Sequence, residues 1–297
     1  MKRERVVGGM MAMALIFNLS SCGEREEIEK EEEEARGYAL ARPNALPPAG
    51  TKVAVSGMFD FSDVPLVLRK DGKSLVGTRW SATEKMLSYE VVSPTQVKIL
   101  VVKDVDTQKI VVGGVPRSQP PKTSPITGQA LTFVLGDDGW TATLDGGGEL
   151  SEEQMEEVTN LADKLQSAEP IGVYGTAPRK VGDKWEVDPN NVPGMEDSEV
   201  TGVFKLSFDR LEALDGHQCA VTIGTINISG SKKDKGSKGF ELQMTATVTT
   251  YRSIDYLEDL KRSITGHMTL SGMGEDGVHM TVRGPFSMEQ RAELLLP

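Results

Sequence analysis

The sequence predicts a mainly β fold of the α+β class, with antiparallel sheets, a packing helix near residues 151–166 and a short C-terminal helix. Three observations predict it. From Thr51 onward apolar and polar side chains alternate, most cleanly in Phe204-Lys205-Leu206-Ser207-Phe208-Asp209 and in Leu242-Gln243-Met244-Thr245-Ala246-Thr247-Val248-Thr249. That is the period of a strand with one dry face and one wet face. Asp-Gly recurs at 71–72, 138–139, 145–146, 215–216 and 276–277, and this pair tolerates the positive φ of a tight hairpin turn. Two Ser-x-x-Gln sequences, at Ser151 and Ser287, fit helix capping boxes. Short connections exclude an extensive parallel sheet, whose crossovers need about a dozen residues or more. Two β lobes, or one curved half-barrel-like sheet, both satisfy these constraints.

The N-terminus is read first as an export signal. Lys2, Arg3 and Arg5 precede an apolar run, Val6 to Leu19, which ends in small residues at Leu19-Ser20-Ser21-Cys22. As a helix the run is about 21 Å long, too short for a hydrocarbon core of about 30 Å. No later segment is apolar enough to span, so attachment to a membrane must come from lipid. Leu19 to Cys22 resembles the lipobox of bacterial lipoproteins. The resemblance implies a signal peptide over 1–21, cleavage between Ser21 and Cys22, and lipidation of the Cys22 sulfur. The implied partners are the membrane, through the anchor on Cys22, and the lipoprotein-processing enzymes. The implied location is the bacterial cell envelope, on the periplasmic side of the outer membrane where the host has two membranes. At about 0.8 kcal/mol per buried methylene, two or three acyl chains hold firmly where one does not.

Residues 22–50 then read as a tether. Glu31-Glu32-Glu33-Glu34 and Leu46-Pro47-Pro48-Ala49-Gly50 offer too little apolar surface to offset chain entropy, and like charges extend the segment. A first lobe spans 51–166, a connector 167–180 and a second lobe 181–297. Further strand-like runs occur at 89–92, 97–103, 131–135, 140–144, 268–270 and 278–283. The Ser151 helix carries Met155, Val158, Leu161 and Leu165 as one apolar stripe. Val76-Gly77-Thr78-Arg79-Trp80 is weakly echoed by Val181-Gly182-Asp183-Lys184-Trp185; the unequal spacings from tryptophan to the following Ser-x-x-Gln, Trp80 to Ser151 against Trp185 to Ser287, leave duplication and chance recurrence both open.

Composition and motif spacing narrow the function classes. The net charge is −11, and removal of residues 1–21 deepens it by two units, so the basic stripe required by nucleic acid is absent and nucleic acid is not an expected partner. Of the two cysteines, Cys22 is committed to the anchor and Cys219 alternates with Val221 and Ile223 as a buried thiol. His217, His267 and His279 are scattered, with no spacing for a metal, and Asp104-Val105-Asp106 lacks the rest of a calcium loop. Gly272-Met273-Gly274-Glu275-Asp276-Gly277 has dinucleotide-loop spacing but leads into a strand, which marks a hairpin. Ser229-Gly230-Ser231-Lys232 lies in a Lys-, Gly- and Ser-rich loop without the companion motifs of acyl transfer. Trp80, Trp140 and Trp185 are assigned to packing. No catalytic residue, metal site or cofactor is expected, and the chain is not read as an enzyme.

What remains is a lipid-anchored envelope protein acting as a binding or structural module. The strand-rich, helix-plugged, exported design also resembles bacterial carriers of lipoprotein and lipid, in which a curved half-barrel exposes an apolar concave face. The alternative function is therefore a carrier or chaperone for a hydrophobic ligand. Phe204, Leu206, Phe208, Met244 and Val248 line that ligand if the dry faces are uncovered, and are ordinary core if they are covered.

Overall fold

The computed structural model describes residues 36–43, 45–166, 169–191, 198–232, 240–274 and 277–296. Cys22, the signal region and the glutamate-rich block lie outside the described residues. In chain order the elements are β1 (Lys52–Lys70), β2 (Lys73–Ser93), β3 (Gln96–Val112), β4 (Val115–Ser118), β5 (Lys122–Thr123), β6 (Ala130–Gly136) and β7 (Gly139–Leu144). Then follow α1 (Glu152–Gln166), α2 (Glu169–Tyr174), β8 (Lys184–Val187), β9 (Ser198–Leu214), β10 (His217–Lys232), β11 (Phe240–Ser253), β12 (Asp259–Met273) and β13 (His279–Leu295).

All thirteen strands among the described residues join one antiparallel sheet in the order β7-β6-β3-β2-β1-β13-β12-β11-β10-β9-β8, with β4 and β5 also paired to β3. Of the two arrangements expected, the single curved sheet is the one found. β1 pairs with β2 on one side and β13 on the other, so the sheet runs without interruption through the expected lobe boundary. The hairpin chemistry is as expected: Asp71-Gly72 and Asp215-Gly216 have positive φ at both residues, which matches the twist of the strands they join.

The register explains where the core lies. Val282 opposes Leu66 and Leu270, Leu270 opposes Leu242, and Ile226 opposes Phe204 and Ala246. Directly opposed residues share a face, so the alternating apolar residues line one face of the sheet from β1 to β8. They form a single buried cluster, and Ile110 and Val112 of β3 pack against it. A second cluster sits between α1 and β3, β6 and β7, and a third near Val53, Cys219 and Leu294.

Two expectations need correction, the C-terminal helix and the extent of the tether, and the structure adds detail at the connector and at the sequence echo. The C-terminal helix is a strand: Ser287 opposes both Asp60 and Thr265, and Met288 opposes Phe59 and Ile264. Phe286, Met288, Ala292 and Leu294 also fit a period of two, and hydrogen bonding along both edges outweighs one local capping signal. The tether ends earlier than residue 50. Leu40 and Ala41 are buried in the main cluster and Tyr38 bridges to Arg179. The connector carries α2, whose Val173 and Tyr174 are buried on the same apolar face. Finally, Trp80 lies in the 21-residue β2 and Trp185 in the four-residue edge strand β8, so the sequence echo does not mark equivalent elements.

Candidate functional site

Two features matter for function: what covers the apolar face, and what remains open at the end of the sheet. The cover is made by residues 38–41 and by α2. Tyr38 meets the Phe208 ring edge-on at 6.2 Å, and Trp185 donates its indole N–H to the Val173 carbonyl at 2.8 Å. The five residues expected to line a ligand are thereby all buried in the main cluster. Phe204, Leu206 and Val248 border a void of about 20 Å³ beneath Val173 and Tyr174, which has room for one water. Met244 and Phe208 do not border that void.

A charged network lies at the end of β11 and the start of β12, beside the covered apolar face, and none of the sequence motifs includes it. Arg252 is 4% exposed and Asp259 is 7% exposed, and their ion pair measures 2.7 Å. Arg262 pairs with the other Asp259 oxygen. Arg252 Nε donates to the Leu40 carbonyl, which ties the cover to the sheet. Tyr174 Oη donates to Asp259 at 3.1 Å, and the Arg252 guanidinium lies 4.5 Å from the centre of the Tyr174 ring. Burial raises the carboxyl pKa of Asp259, but the guanidinium groups of Arg262 and Arg252 outweigh it and hold the acid below its ordinary range. Burial, reinforced by Asp259, pushes the Tyr174 phenol up to about 12.

Next to it, burial raises the Glu258 pKa despite the hydrogen bond that Tyr89 Oη donates to it at 2.8 Å. The two acids follow Leu257, a buried residue with φ +57°. A bulky side chain with positive φ is strained, and here the tight β11–β12 turn delivers adjacent carboxylates to opposite partners. A signal for the network was present in the sequence. Arg252 continues the dry-face parity of Met244, Ala246 and Val248, and Arg262 that of Ile264 and Met268, so both guanidinium groups occupy positions that otherwise hold apolar side chains.

The open feature is a groove of about 580 Å³ at the end of the sheet where β1 begins and β13 ends. Leu260, Ala292 and Leu294 border it but are buried in the third cluster, Met86 and Val102 contribute exposed apolar side chains, and Leu214, Asp215 and His217 border it from the β9–β10 turn. Asp215, His217, Lys261, Arg291 and Glu293 supply its charged and titratable groups, with Ser56 and Ser88 beside them. Its volume is within the range of ligand sites, and it combines exposed apolar side chains with polar groups as they do.

The remaining residues singled out from sequence fall elsewhere. Cys219 is buried and unpaired, and burial pushes its thiol up to about 11, so little thiolate forms. His267 is exposed, whereas His279 is half-buried with its ring 3.3 Å from Ser271 Oγ. Asp104 pairs with Lys85 at 3.1 Å and Asp106 accepts from Thr83 at 2.6 Å. Gly274 and Gly277 close the β12–β13 hairpin, in agreement with the expected turn, although residues 275 and 276 lie outside the described residues. Ser229 to Lys232 complete β10, and the loop after them lies outside the described residues. Cys22 and Ser21, the lipidation and cleavage residues, also lie outside the described residues.

No protein-family model and no curated protein sequence matches the chain. Among solved structures, a structure of lipovitellin aligns with 84% of this chain at 10% identity and a TM-score of 0.40. The chain spans about a quarter, 26%, of the lipovitellin chain it matches. An outer-membrane channel from Pseudomonas putida F1 aligns with 86% of this chain and 99% of its own, at 6% identity and a TM-score of 0.25. A β-barrel-like protein with a domain of unknown function, from Brucella abortus, covers 84% of this chain and 99% of its own at 10% identity and a TM-score of 0.14. Likenesses this weak transfer no function to this chain.

Proposed function

We propose that this chain is a lipid-anchored cell-envelope protein that works as a non-enzymatic binding module, with the 580 Å³ groove as its binding surface. The anchor and the location rest on the lipobox resemblance at Leu19 to Cys22. The observation that carries the binding role is the contrast between the covered apolar face and the open groove. On the β8–β12 side the chain covers its own apolar face, whereas at the groove the exposed apolar side chains of Met86 and Val102 stand beside charged groups. Its partner is an envelope protein that presents an apolar segment flanked by polar residues. A carrier role is the second reading, favoured by the continuous apolar face that lies beneath the cover, since the void under α2 itself has room for only one water. In that reading residues 38–41 and α2 swing out to admit a hydrophobic ligand.

Site-specific photo-crosslinking in intact cells separates these readings. A crosslinker at Met86 or Val102, both exposed at the groove, is expected to give a discrete protein adduct, and one at the exposed Ile223 none. A crosslinker at Phe204 that captures lipid would favour the carrier. The groove assignment fails if Met86 and Val102 give no adduct.

A further inference from the structure

The three most exposed large apolar side chains among the described residues are Val76, Val115 and Leu75, at 68%, 58% and 56%. All three lie at one corner of the sheet. Leu75 and Val76 follow the β1–β2 turn, where Leu68 opposes Leu75 and Val67 opposes Val76. They therefore belong to opposite faces of the hairpin, and the exposure of both means that the tip projects beyond the core. Val115 follows the Gly113-Gly114 turn of the β3–β4 hairpin. The two tips are joined, since Gly113 N–H donates to the Val76 carbonyl at 3.4 Å and Gly77 opposes Val112.

The same corner reverses the charge of the molecule. Arg69, Lys70, Lys73, Arg79, Lys109 and Arg117 lie within residues 67–80 and 109–117, against one carboxylate, Asp71, in a chain whose net charge is −11. Arg79 Nε is buried and has no hydrogen-bond partner. The adjacent β12–β13 turn contains Glu275 and Asp276, which lie outside the described residues. Exposed aliphatic tips ringed by basic side chains suit the boundary between head groups and acyl chains, where apolar area enters and cations meet anionic lipid.

We infer that this corner docks on an anionic lipid bilayer surface, with Leu75, Val76 and Val115 entering the interface. The inference rests on the proposed envelope location. β1 runs from the groove at Ala54 to this corner at Lys70, so docking turns the groove away from the bilayer.

The test uses the full lipidated chain reconstituted with vesicles, carrying Val76→Cys with an environment-sensitive fluorophore; Cys219 is buried and Cys22 is blocked by its lipid. On vesicles containing phosphatidylglycerol the emission should shift to the blue, and on pure phosphatidylcholine it should not. Salt at about 0.5 M should reverse the shift by screening. Lys70→Glu with Lys73→Glu should abolish it, and because the salt arm uses the unaltered charges, a folding defect in that variant leaves the result readable. Protein that floats with both vesicle types while the label stays in water overturns the inference, as does an equal shift on both lipids. Protein that fails to float with phosphatidylcholine vesicles contradicts the anchor instead, and flotation with phosphatidylglycerol vesicles then decides the docking.

Discussion

Asp259 holds two guanidinium groups inside an apolar face, so its removal costs more than the bonds it makes. Asp259→Asn leaves Arg252 and Arg262 buried and unbalanced, and should destabilise the fold by about 3–5 kcal/mol. Tyr174→Phe removes a single hydrogen bond to a charged group and should cost about 1.5–3 kcal/mol. Urea unfolding measures both, and equal small effects would show that the network is hydrated. The two adjacent acids respond to pH with opposite signs. Asp259 titrates below its ordinary value in the folded state, so its contribution is present above the ordinary carboxylate range and is lost as pH falls through the folded value. Glu258 titrates above the ordinary 4.5, so its contribution is full below that value and is lost as pH rises through the folded one. Glu258→Gln cannot ionise. Its unfolding midpoint relative to the unsubstituted chain should therefore rise as pH increases above the ordinary 4.5, and a pH-independent difference would mean that Glu258 is solvated.

At the scale of elements, α1 follows its sequence closely. Gln154 N–H donates to Ser151 Oγ at 3.2 Å, and Ser151 N–H donates to Gln154 Oε1 at 3.0 Å, which closes the capping box. Val158 is buried and Leu161 and Leu165 pack beside it against the sheet, while Met155 stands half exposed, outside the stripe expected for it. Leu161→Ala should cost about 2 kcal/mol, near the lower limit for leucine truncation because the side chain is only half-buried, and Ser151→Ala about 1 kcal/mol. In the cover, Leu40 is fully buried, so Leu40→Ala should cost about 2–5 kcal/mol; a neutral result would show a mobile cover and favour the carrier. The same capping signal that located α1 misled at Ser287. A box reports only four residues of local hydrogen bonding, whereas β13 is held along both edges, by β12 beside it in the chain and by β1 more than 200 residues away, and the second edge is revealed by no local pattern. The strands, the hairpins and the dry-face parity of Phe204 to Phe208 and of Met244 and Val248 were legible for the opposite reason: alternation and turn chemistry are local. The cover was hidden because Tyr38-Ala39-Leu40-Ala41 is a four-residue apolar run with neither helix nor strand period, between the glutamate-rich block and a proline-rich stretch, and the groove because its lining is drawn from β1, β2, β3, β12, β13 and the β9–β10 turn.

The whole molecule is a single sheet attached, on the reading proposed above, by one modified cysteine. Cys22→Ser should therefore abolish palmitate incorporation, and labelling that survives the substitution would remove the anchor. The sheet's central seam is the pairing of β1 with β13, from Lys52↔Leu295 to Arg69↔His279, which joins the two ends of the folded region. Bringing segments some 240 residues apart together costs about 5 kcal/mol of chain entropy in the length-dependent part alone. Contacts this remote in sequence also slow folding. The seam cannot close until the final strand has been synthesised, and until then β1 and β12 present long unpaired edges of the kind that recruit other chains. A chain cut short before His279 would accordingly be a target for aggregation or proteolysis rather than a smaller version of the same protein, and the time between synthesis of the first strand and arrival of the last is when a chaperone has most to protect.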